Sequence, residues 1–298
     1  MKNIGVLTSG GDSPGMNSAI NGILYNSYLN NFIIFGIYNG YKGLYKNNIK
    51  KIFNNNKLFN LNNSGGTYLG SSRFEDFKKK KIRLKAIKNL KINNINSLII
   101  IGGNGSYIGS KYLINEGISC INLPGTIDND VIYTDYSIGY FTALETIVES
   151  IDRIRDTAFS HQSIFIIEVM GRSCGNLTIA SAIAGKCEFF IIPEIKFNID
   201  NLICEIKYKI LKGVKNLIII ITENICNIKK FSQYITKKIK KNIRTIVLGH
   251  IQRGGKPVSY DRILGYRMGT YAIDLLLKGY NNLCIGIKNN KIIHNNII

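Results

Sequence analysis

Ile4-Gly5-Val6-Leu7-Thr8-Ser9-Gly10-Gly11-Asp12-Ser13-Pro14-Gly15 passes from an apolar run into a glycine-rich one. Ile4 to Thr8 has the length and composition of a buried strand. Beyond the glycines, Met16 to Tyr28 carries Ala19, Ile20, Ile23, Leu24 and Ser27 on one stripe, which predicts a helix. A strand, a glycine turn and a helix make the opening unit of a parallel α/β fold, in which helices cover both faces of the sheet.

The alternation continues outward from this unit. Phe32 to Tyr38 reads as a strand, Asn39-Gly40-Tyr41-Lys42-Gly43 as a turn, and residues 46–63 as Asn- and Lys-rich but folded. The glycine-rich loop Gly65 to Arg73 is followed by a basic helix with Leu84, Ile87 and Leu90 inward. Ser97 to Ile101 is a strand ending at Gly102-Gly103-Asn104-Gly105-Ser106, and Cys120 to Leu123 a strand ending at Pro124-Gly125-Thr126-Ile127-Asp128-Asn129-Asp130. Leu144, Ile147, Val148, Ile151 and Ile154 mark an amphipathic helix. Strands follow at Ile164 to Val169, Phe189 to Ile192, Leu217 to Thr222 and Thr245 to Leu248, with helices at Asn176 to Ala184, 200–211 and 230–241 between them. A long helix over 260–277 and a last strand over Cys284 to Ile287 complete the chain. The expected fold is α/β: two Rossmann-like lobes with largely parallel sheets, facing each other across an active-site cleft. One lobe is residues 1–138 plus 251–298, the other 139–250.

At 298 residues, with 45% hydrophobic and 19% charged content, the composition is that of a soluble globular protein. No apolar run reaches the length of a membrane span, and the first residues lead straight into a strand. Six cysteines with no Cys-x-x-Cys pair argue against a zinc site or a disulfide framework and point to a reducing, cytoplasmic setting. The net charge of +20 invites a nucleic-acid reading. The basic residues are spread along the chain, however, and rise together with Asn and Ile, the signature of AT-rich codons. Lys78 to Lys81 and Lys237-Lys238-Ile239-Lys240-Lys241 are read as solvated helix faces. The positive field still favours phosphorylated small molecules.

The chemistry-bearing stretches fall at strand ends, where doubly wound folds collect ligands. Gly10-Gly11, Gly65-Gly66-Thr67 and Gly102 to Ser106 let backbone N–H groups approach phosphate oxygens, although none matches a P-loop. Asp128 and Asp130 stand two apart, so in an extended segment they would face one site together. The same residue types also build an ordinary turn, and this stretch alone leaves both readings open. Met170-Gly171-Arg172, Glu223 and His250 end strands of the second lobe. With Arg244 and Arg253 they describe an anion-binding wall. A phosphate-cradling lobe, a carboxylate pair and an arginine wall suit phosphoryl transfer.

Five motifs carry a family resemblance: Leu7 to Asn17, Gly65 to Arg73, Pro124 to Asp130, Glu168 to Arg172 and Leu248 to Gly255. Together, and in order along the whole chain, they resemble the bacterial ATP-dependent 6-phosphofructokinases. The resemblance implies transfer of the ATP γ-phosphoryl group to the 1-hydroxyl of fructose 6-phosphate with Mg²⁺, in a cytoplasmic homotetramer that binds no nucleic acid or membrane. The first lobe would hold the nucleotide, the second the sugar phosphate. Asp128 would be the general base, Asp130 would hold the site's charge and geometry, and Arg172 would stabilise the migrating phosphoryl group. Thr126, Met170, Gly171, Glu223 and His250 would hold the sugar, and Arg244 and Arg253 its phosphate. Gly11, Arg73, Phe74, Gly103, Asn104, Gly105 and Ser106 would line the nucleotide site. Gly105 and Gly125 are small where pyrophosphate-using relatives carry larger charged residues, which favours ATP. A pyrophosphate-dependent kinase and a catalytically impaired sugar-phosphate-binding relic are the alternatives.

The chain also departs from the family. Asn104 replaces an Asp that helps hold Mg²⁺, which implies a weakened metal site. Ser163 replaces an Arg that reaches a neighbouring subunit's sugar-phosphate site. Arg155, Glu188 and Lys212 match the effector pocket, but Asn21, Tyr25 and Val214 replace its other cations, so effector control is expected to be eroded. The chain ends at Ile298, short of the family's usual end, and a closing helix of the second lobe is expected to be missing.

Overall fold

The computed structural model describes residues 3–52 and 60–297, and it has two compact units. The first comprises Met1–Thr142 with Arg253–Ile298, the second Ala143–Gln252.

The first unit is built on a seven-stranded sheet. Its strands are β1 (Asn3–Ser9), β2 (Ile33–Ile37), β3 (Ile49–Ile52), β4 (Ile95–Gly102), β5 (Ser119–Pro124), β10 (Leu283–Lys288) and β11 (Lys291–Asn296), in the order β11-β10-β5-β4-β1-β2-β3. Pairing is parallel except at the two edges, where β3 and β11 run antiparallel to their neighbours. The central strands are apolar on both sides, as burial on two faces demands. Ile99 and Ile101 of β4 pack under α1 (Met16–Leu29) and the long α9 (Ser259–Leu277). Leu98 and Ile100 point to the other face, under α2 (Gly40–Tyr45), α3 (Lys80–Ile92) and α4 (Asn104–Ile114). Each such fully buried side chain contributes roughly 1.5–3 kcal/mol. Helices α1 and α9 approach closely because glycines line their contact. A Cβ at Gly265 would meet the Gly15 carbonyl oxygen at 2.7 Å, and Gly22 and Gly269 likewise face backbone of the opposite helix.

The second unit has a four-stranded parallel sheet, β7-β8-β6-β9, from β6 (Ile164–Val169), β7 (Phe189–Ile191), β8 (Leu217–Thr222) and β9 (Ile243–Val247). Ile164, Ile166, Leu217, Ile219 and Ile221 pack against α7 (Ile199–Leu211) and α8 (Ile228–Ile239). The chain enters this unit along α5 (Tyr140–Ser160), and α6 (Asn176–Ala184) follows β6.

Several expectations are corrected. Asn39 to Gly43 is not a turn but the start of α2, entered through Asn39 and Gly40 at φ 63° and 59°. Leu84 is 49% exposed on α3, while Ile87 and Leu90 are buried as expected. Cys284 to Ile287 is not the last strand, because β11 pairs back along it. Gly65-Gly66-Thr67 follows a 3-10 turn, Asn60–Asn63, and not a strand among the described residues. The expectation for residues 46–63 lies in part outside the described residues; within them, β3 and that 3-10 turn are ordered elements.

Candidate active site

Strand register brings the loops of the first unit to one edge. Ser9 lies level with Gly102, and Gly102 with Pro124. The Gly10-Gly11 loop, the start of α4 and the Thr126 turn therefore open side by side at carboxyl ends. The loops are laced together: Ser106 Oγ donates to the Ser9 carbonyl at 3.0 Å and Ser71 Oγ to the Gly10 carbonyl at 2.6 Å. Gly103 precedes the first turn of α4, whose leading N–H groups suit a phosphate, while those of Ser106 and Tyr107 bond the Gly103 carbonyl. A Cβ at Gly105 would meet nothing within 4 Å, so open space exists there. Gly125 differs. A Cβ would press on Ile101 at 2.9 Å and Met16 at 3.0 Å, so its smallness serves packing and not ligand room.

The two aspartates do not share an extended face. The chain bends at Ile127 and Asp128, and Asn129 is left-handed at φ 52°. Asp128 is 9% exposed, and its N–H donates to Thr126 Oγ1 at 3.3 Å. Asp130 is half-buried, and Asn104 Nδ2 donates to its Oδ2 at 2.9 Å and to its carbonyl at 3.2 Å. Ser137 fixes the turn from outside, donating through Oγ to the Thr126 carbonyl at 2.6 Å and through N–H to Asn129 Oδ1 at 2.8 Å. Arg73 is exposed, and the Phe74 ring lies tilted against those of Tyr45 and Phe77.

In the second unit, Met170, Glu223 and Leu248 leave their strands at one level, the Glu223 N–H reaching the Val169 carbonyl and the Leu248 N–H that of Glu168. Gly171 and Arg172 both have positive φ, 145° and 56°. Glu223 Oε1 accepts the Arg172 N–H at 3.1 Å, and Gln252 Oε1 accepts the Met170 N–H at 3.0 Å. Burial and the neighbouring Glu223 push the Glu168 carboxyl pKa up. His250 is exposed on a 3-10 turn, Gly249–Arg253.

Within the second unit, Arg172 and Arg244 do not stand together. Arg172 stands at the carboxyl edge. Arg244 pairs with Phe165 near the beginning of β6, five residues before Met170, which is about 16 Å away along the strand. Arg253 belongs to the first unit, where its Nη1 donates to the Asp12 carbonyl at 3.2 Å and its guanidinium fills the space a Gly11 Cβ would take. The residues expected to form an effector pocket are engaged within the structure. Arg155 donates to the Gly185 and Lys186 carbonyls at 2.6 and 2.8 Å and pairs with Glu188, which itself accepts the Ile218 N–H. The Lys212 ammonium lies over the Tyr208 ring.

Two contributors were not singled out in the sequence. Tyr41 Oη donates to the Ser106 carbonyl at 2.6 Å, and burial pushes its pKa well up, so it acts as a neutral donor. Gln252 is the other.

The described residues include no cluster of three or more His, Cys, Asp or Glu side chains able to cage a metal. Mg²⁺ needs no such cage, because it takes one or two carboxylates plus phosphates and water. The half-buried Asp130 carboxylate and the Asn104 amide, hydrogen-bonded to each other, fit an ion held chiefly by nucleotide phosphates.

Fold and loops together define a doubly wound α/β protein with glycine-rich loops at the carboxyl ends of its strands. The Phosphofructokinase family model matches residues 3–276, and the chain belongs to that family. It is 56% identical over 298 residues to the ATP-dependent 6-phosphofructokinase of Serratia proteamaculans (strain 568), covering all of this chain and 93% of that one. It is 57% identical over 297 residues to the ATP-dependent 6-phosphofructokinase of Buchnera aphidicola subsp. Cinara cedri, covering 92% of it. Among solved structures, phosphofructokinase from Saccharomyces cerevisiae superposes with a TM-score of 0.90 at 32% identity. All of this chain is covered, and it spans 45% of the yeast chain. The pyrophosphate-dependent phosphofructokinase from Marinobacter aquaeolei matches with a TM-score of 0.88 at 20% identity, a likeness of fold alone.

Proposed function

We infer that this chain is an ATP-dependent 6-phosphofructokinase, a phosphotransferase that converts fructose 6-phosphate and ATP into fructose 1,6-bisphosphate and ADP. The observation that carries the reading is one sheet edge bearing the Gly10 loop, the α4 start and the buried Asp128. It occurs in a chain more than half identical, end to end, with enzymes of that name.

Asp128 takes the proton of the sugar 1-hydroxyl as its oxygen bonds the γ-phosphorus, while the bond from that phosphorus to the ADP oxygen breaks. Arg172 neutralises charge on the moving phosphoryl group. Glu223 has one oxygen on the Arg172 N–H and offers the other to a sugar hydroxyl, beside Met170, Gly171 and His250. Thr126 completes the sugar contacts. Arg253 serves the sugar phosphate from the Gly11-Asp12 loop. Gly11, Arg73, Phe74, Gly103, Asn104, Gly105 and Ser106 serve the nucleotide, with the open space at Gly105 favouring ATP over pyrophosphate. Asn104 and Asp130 would hold Mg²⁺, which would supply positive charge to offset that of the nucleotide phosphates.

Arg244 lies at the same strand end as Ser163, since Ile243 pairs with Ile164, far from the chain's own Met170. On this reading it reaches a sugar phosphate held by another copy, which supports a homotetramer. Effector control is weak, because Arg155 and Glu188 are already engaged with each other and with backbone. Among the described residues no helix is long and apolar enough to cross a membrane, and the six cysteines form no disulfide, in keeping with a cytoplasmic enzyme. The test is a coupled assay of purified protein with fructose 6-phosphate and either ATP or pyrophosphate across a Mg²⁺ range. Turnover with ATP and background with pyrophosphate is the expected result. No turnover with ATP at any Mg²⁺ concentration overturns the reading.

Asn104 gives a sharper expectation. An aspartate in its place would set a second carboxylate within hydrogen-bonding distance of Asp130, and two carboxylates so close need a cation between them. Asn104→Asp is expected to lower the Mg²⁺ concentration for half-maximal rate about tenfold, or ~1.4 kcal/mol. Mn²⁺ titration of the nucleotide-free variant should show tighter binding than wild type. Unchanged metal dependence in both measurements would sink this account.

A further inference from the structure

We propose that Gln252 is a positioning residue for the sugar site, acting by tying the loop after β6 to the turn that carries His250. The proposal rests on the functional reading above, in which Met170, Gly171, Arg172 and His250 surround the sugar.

Gln252 is fully buried, although glutamine is among the residues least often found inside. Its amide is used at both ends. Oε1 accepts the Met170 N–H at 3.0 Å, and Nε2 donates to the Gly249 carbonyl at 2.8 Å. The first bond holds the exit of β6. The second lies within the 3-10 turn Gly249–Arg253. Gly171 and Arg172, the two residues after Met170, stand at φ 145° and 56°. For arginine the left-handed conformation is unfavourable by about 1 kcal/mol or more, so the loop holds its shape only if its neighbours hold it. Two side chains do so from opposite ends: Glu223 takes the Arg172 N–H, and Gln252 the Met170 N–H. Glu223 is also offered to the sugar. Gln252 has both polar atoms engaged with backbone and no exposed surface, which makes it a brace and not a contact residue.

Only glutamine meets both demands at this reach. Leucine fills the volume and leaves a buried N–H and a buried carbonyl without their partner. Glutamate keeps the acceptor for Met170 and loses the donor to Gly249. Asparagine is one methylene short. If the brace positions the sugar loop, its loss should weaken sugar-phosphate affinity and spare the nucleotide site, whose residues lie on other strands.

The experiment compares wild type, Gln252→Leu and Gln252→Glu by KM for each substrate, by calorimetric titration of fructose 6-phosphate without nucleotide, and by melting temperature. The expected result for Gln252→Leu is a roughly tenfold rise in both the KM and the Kd for fructose 6-phosphate, with the KM for ATP moving less than about twofold. Gln252→Glu should fall between, because one of the two bonds survives. A lowered melting temperature with unchanged fructose 6-phosphate constants makes Gln252 a core residue only and overturns the proposal, as does a parallel rise in both KM values. Should Gln252→Leu not fold, Gln252→Glu alone decides by the same criteria. A wild-type protein that neither binds nor phosphorylates the sugar fails at the first measurement. In that case the functional reading falls, and this proposal with it.

Discussion

Replacing Asp128 by asparagine is expected to lower kcat by about a hundred- to ten-thousandfold, the usual contribution of a positioned general base. Asparagine has nearly the same shape and keeps the backbone N–H bond to Thr126 Oγ1, so the turn should survive. What it cannot do is take a proton. Because Asp128 is only 9% exposed, bulk water is a poor substitute for the lost base. The KM values should move little, since a proton acceptor contributes to the transition state and not to ground-state binding. Asp130→Asn is the informative partner. Its carboxylate already accepts from Asn104 and is more open to solvent, so a smaller loss of kcat is expected, with a change in Mg²⁺ dependence. Steady-state kinetics of the two variants at saturating Mg²⁺ checks the pair. If Asp128→Asn keeps kcat within about tenfold of wild type, or if Asp130→Asn is the more damaged enzyme, Asp128 is not the base.

Why some of this was legible and some was not follows from the kind of information each feature carries. The central strands are continuous apolar runs, a pattern that survives heavy Lys and Asn substitution because both faces must stay apolar. β6 and β8 accordingly have the boundaries the pattern predicts. Edge strands β3 (Ile-Lys-Lys-Ile) and β11 (Lys-Ile-Ile-His-Asn-Asn) carry no such constraint, and their composition hides them. The reach of the arginines was partly readable. Arg244 begins its strand, and the rule that ligands gather at carboxyl ends already sets it apart from Arg172. Arg253 was readable too, because the boundary expected at residue 251 already sets it in the first lobe, as the division after Gln252 does. The Asp128–Asp130 geometry turned on Asn129 adopting a left-handed conformation, which asparagine permits but does not announce. A buried glutamine bonded to two backbone groups leaves no periodic trace at all.

Asp261 is the same kind of residue with a larger consequence. It stands in the first turn of α9 with no exposed surface, and a lone buried carboxylate is costly unless well bonded. Oδ1 accepts the Gly139 N–H at 2.9 Å, while Oδ2 accepts the Thr142 N–H at 2.7 Å and its hydroxyl at 2.6 Å. Burial pushes its pKa up, and these hydrogen bonds oppose the shift. The donors sit at the start of α5, whose N–H groups have no partners within the helix, so the carboxylate caps that helix from another element. The same stretch continues the Thr126–Asp130 turn: the Ile138 N–H bonds the Pro124 carbonyl, and Ser137 bonds Thr126 and Asn129. In Asp261→Asn one oxygen becomes an NH₂ group. Either orientation of the amide sets that NH₂ against a backbone N–H and leaves the donor buried and unsatisfied. The expected loss is about 3 kcal/mol, from one or two hydrogen bonds to a charged acceptor at ~1.5–3 kcal/mol each. At about 2–4 °C per kcal/mol the melting temperature should fall by roughly 6–12 °C. Thr142→Val removes the hydroxyl that donates to Asp261 Oδ2 and accepts the Val258 N–H at 3.1 Å, and should lose less, about 1–2 kcal/mol. Combined, the two changes should destabilise by less than their sum, because they break one network. Additive losses, or an Asp261→Asn protein within about 1 kcal/mol of wild type, would mean that the carboxylate does not hold α5. If it does hold α5, kcat should also drop in Asp261→Asn below its melting range, because the segment that positions Asp128 then loses its tie to α9.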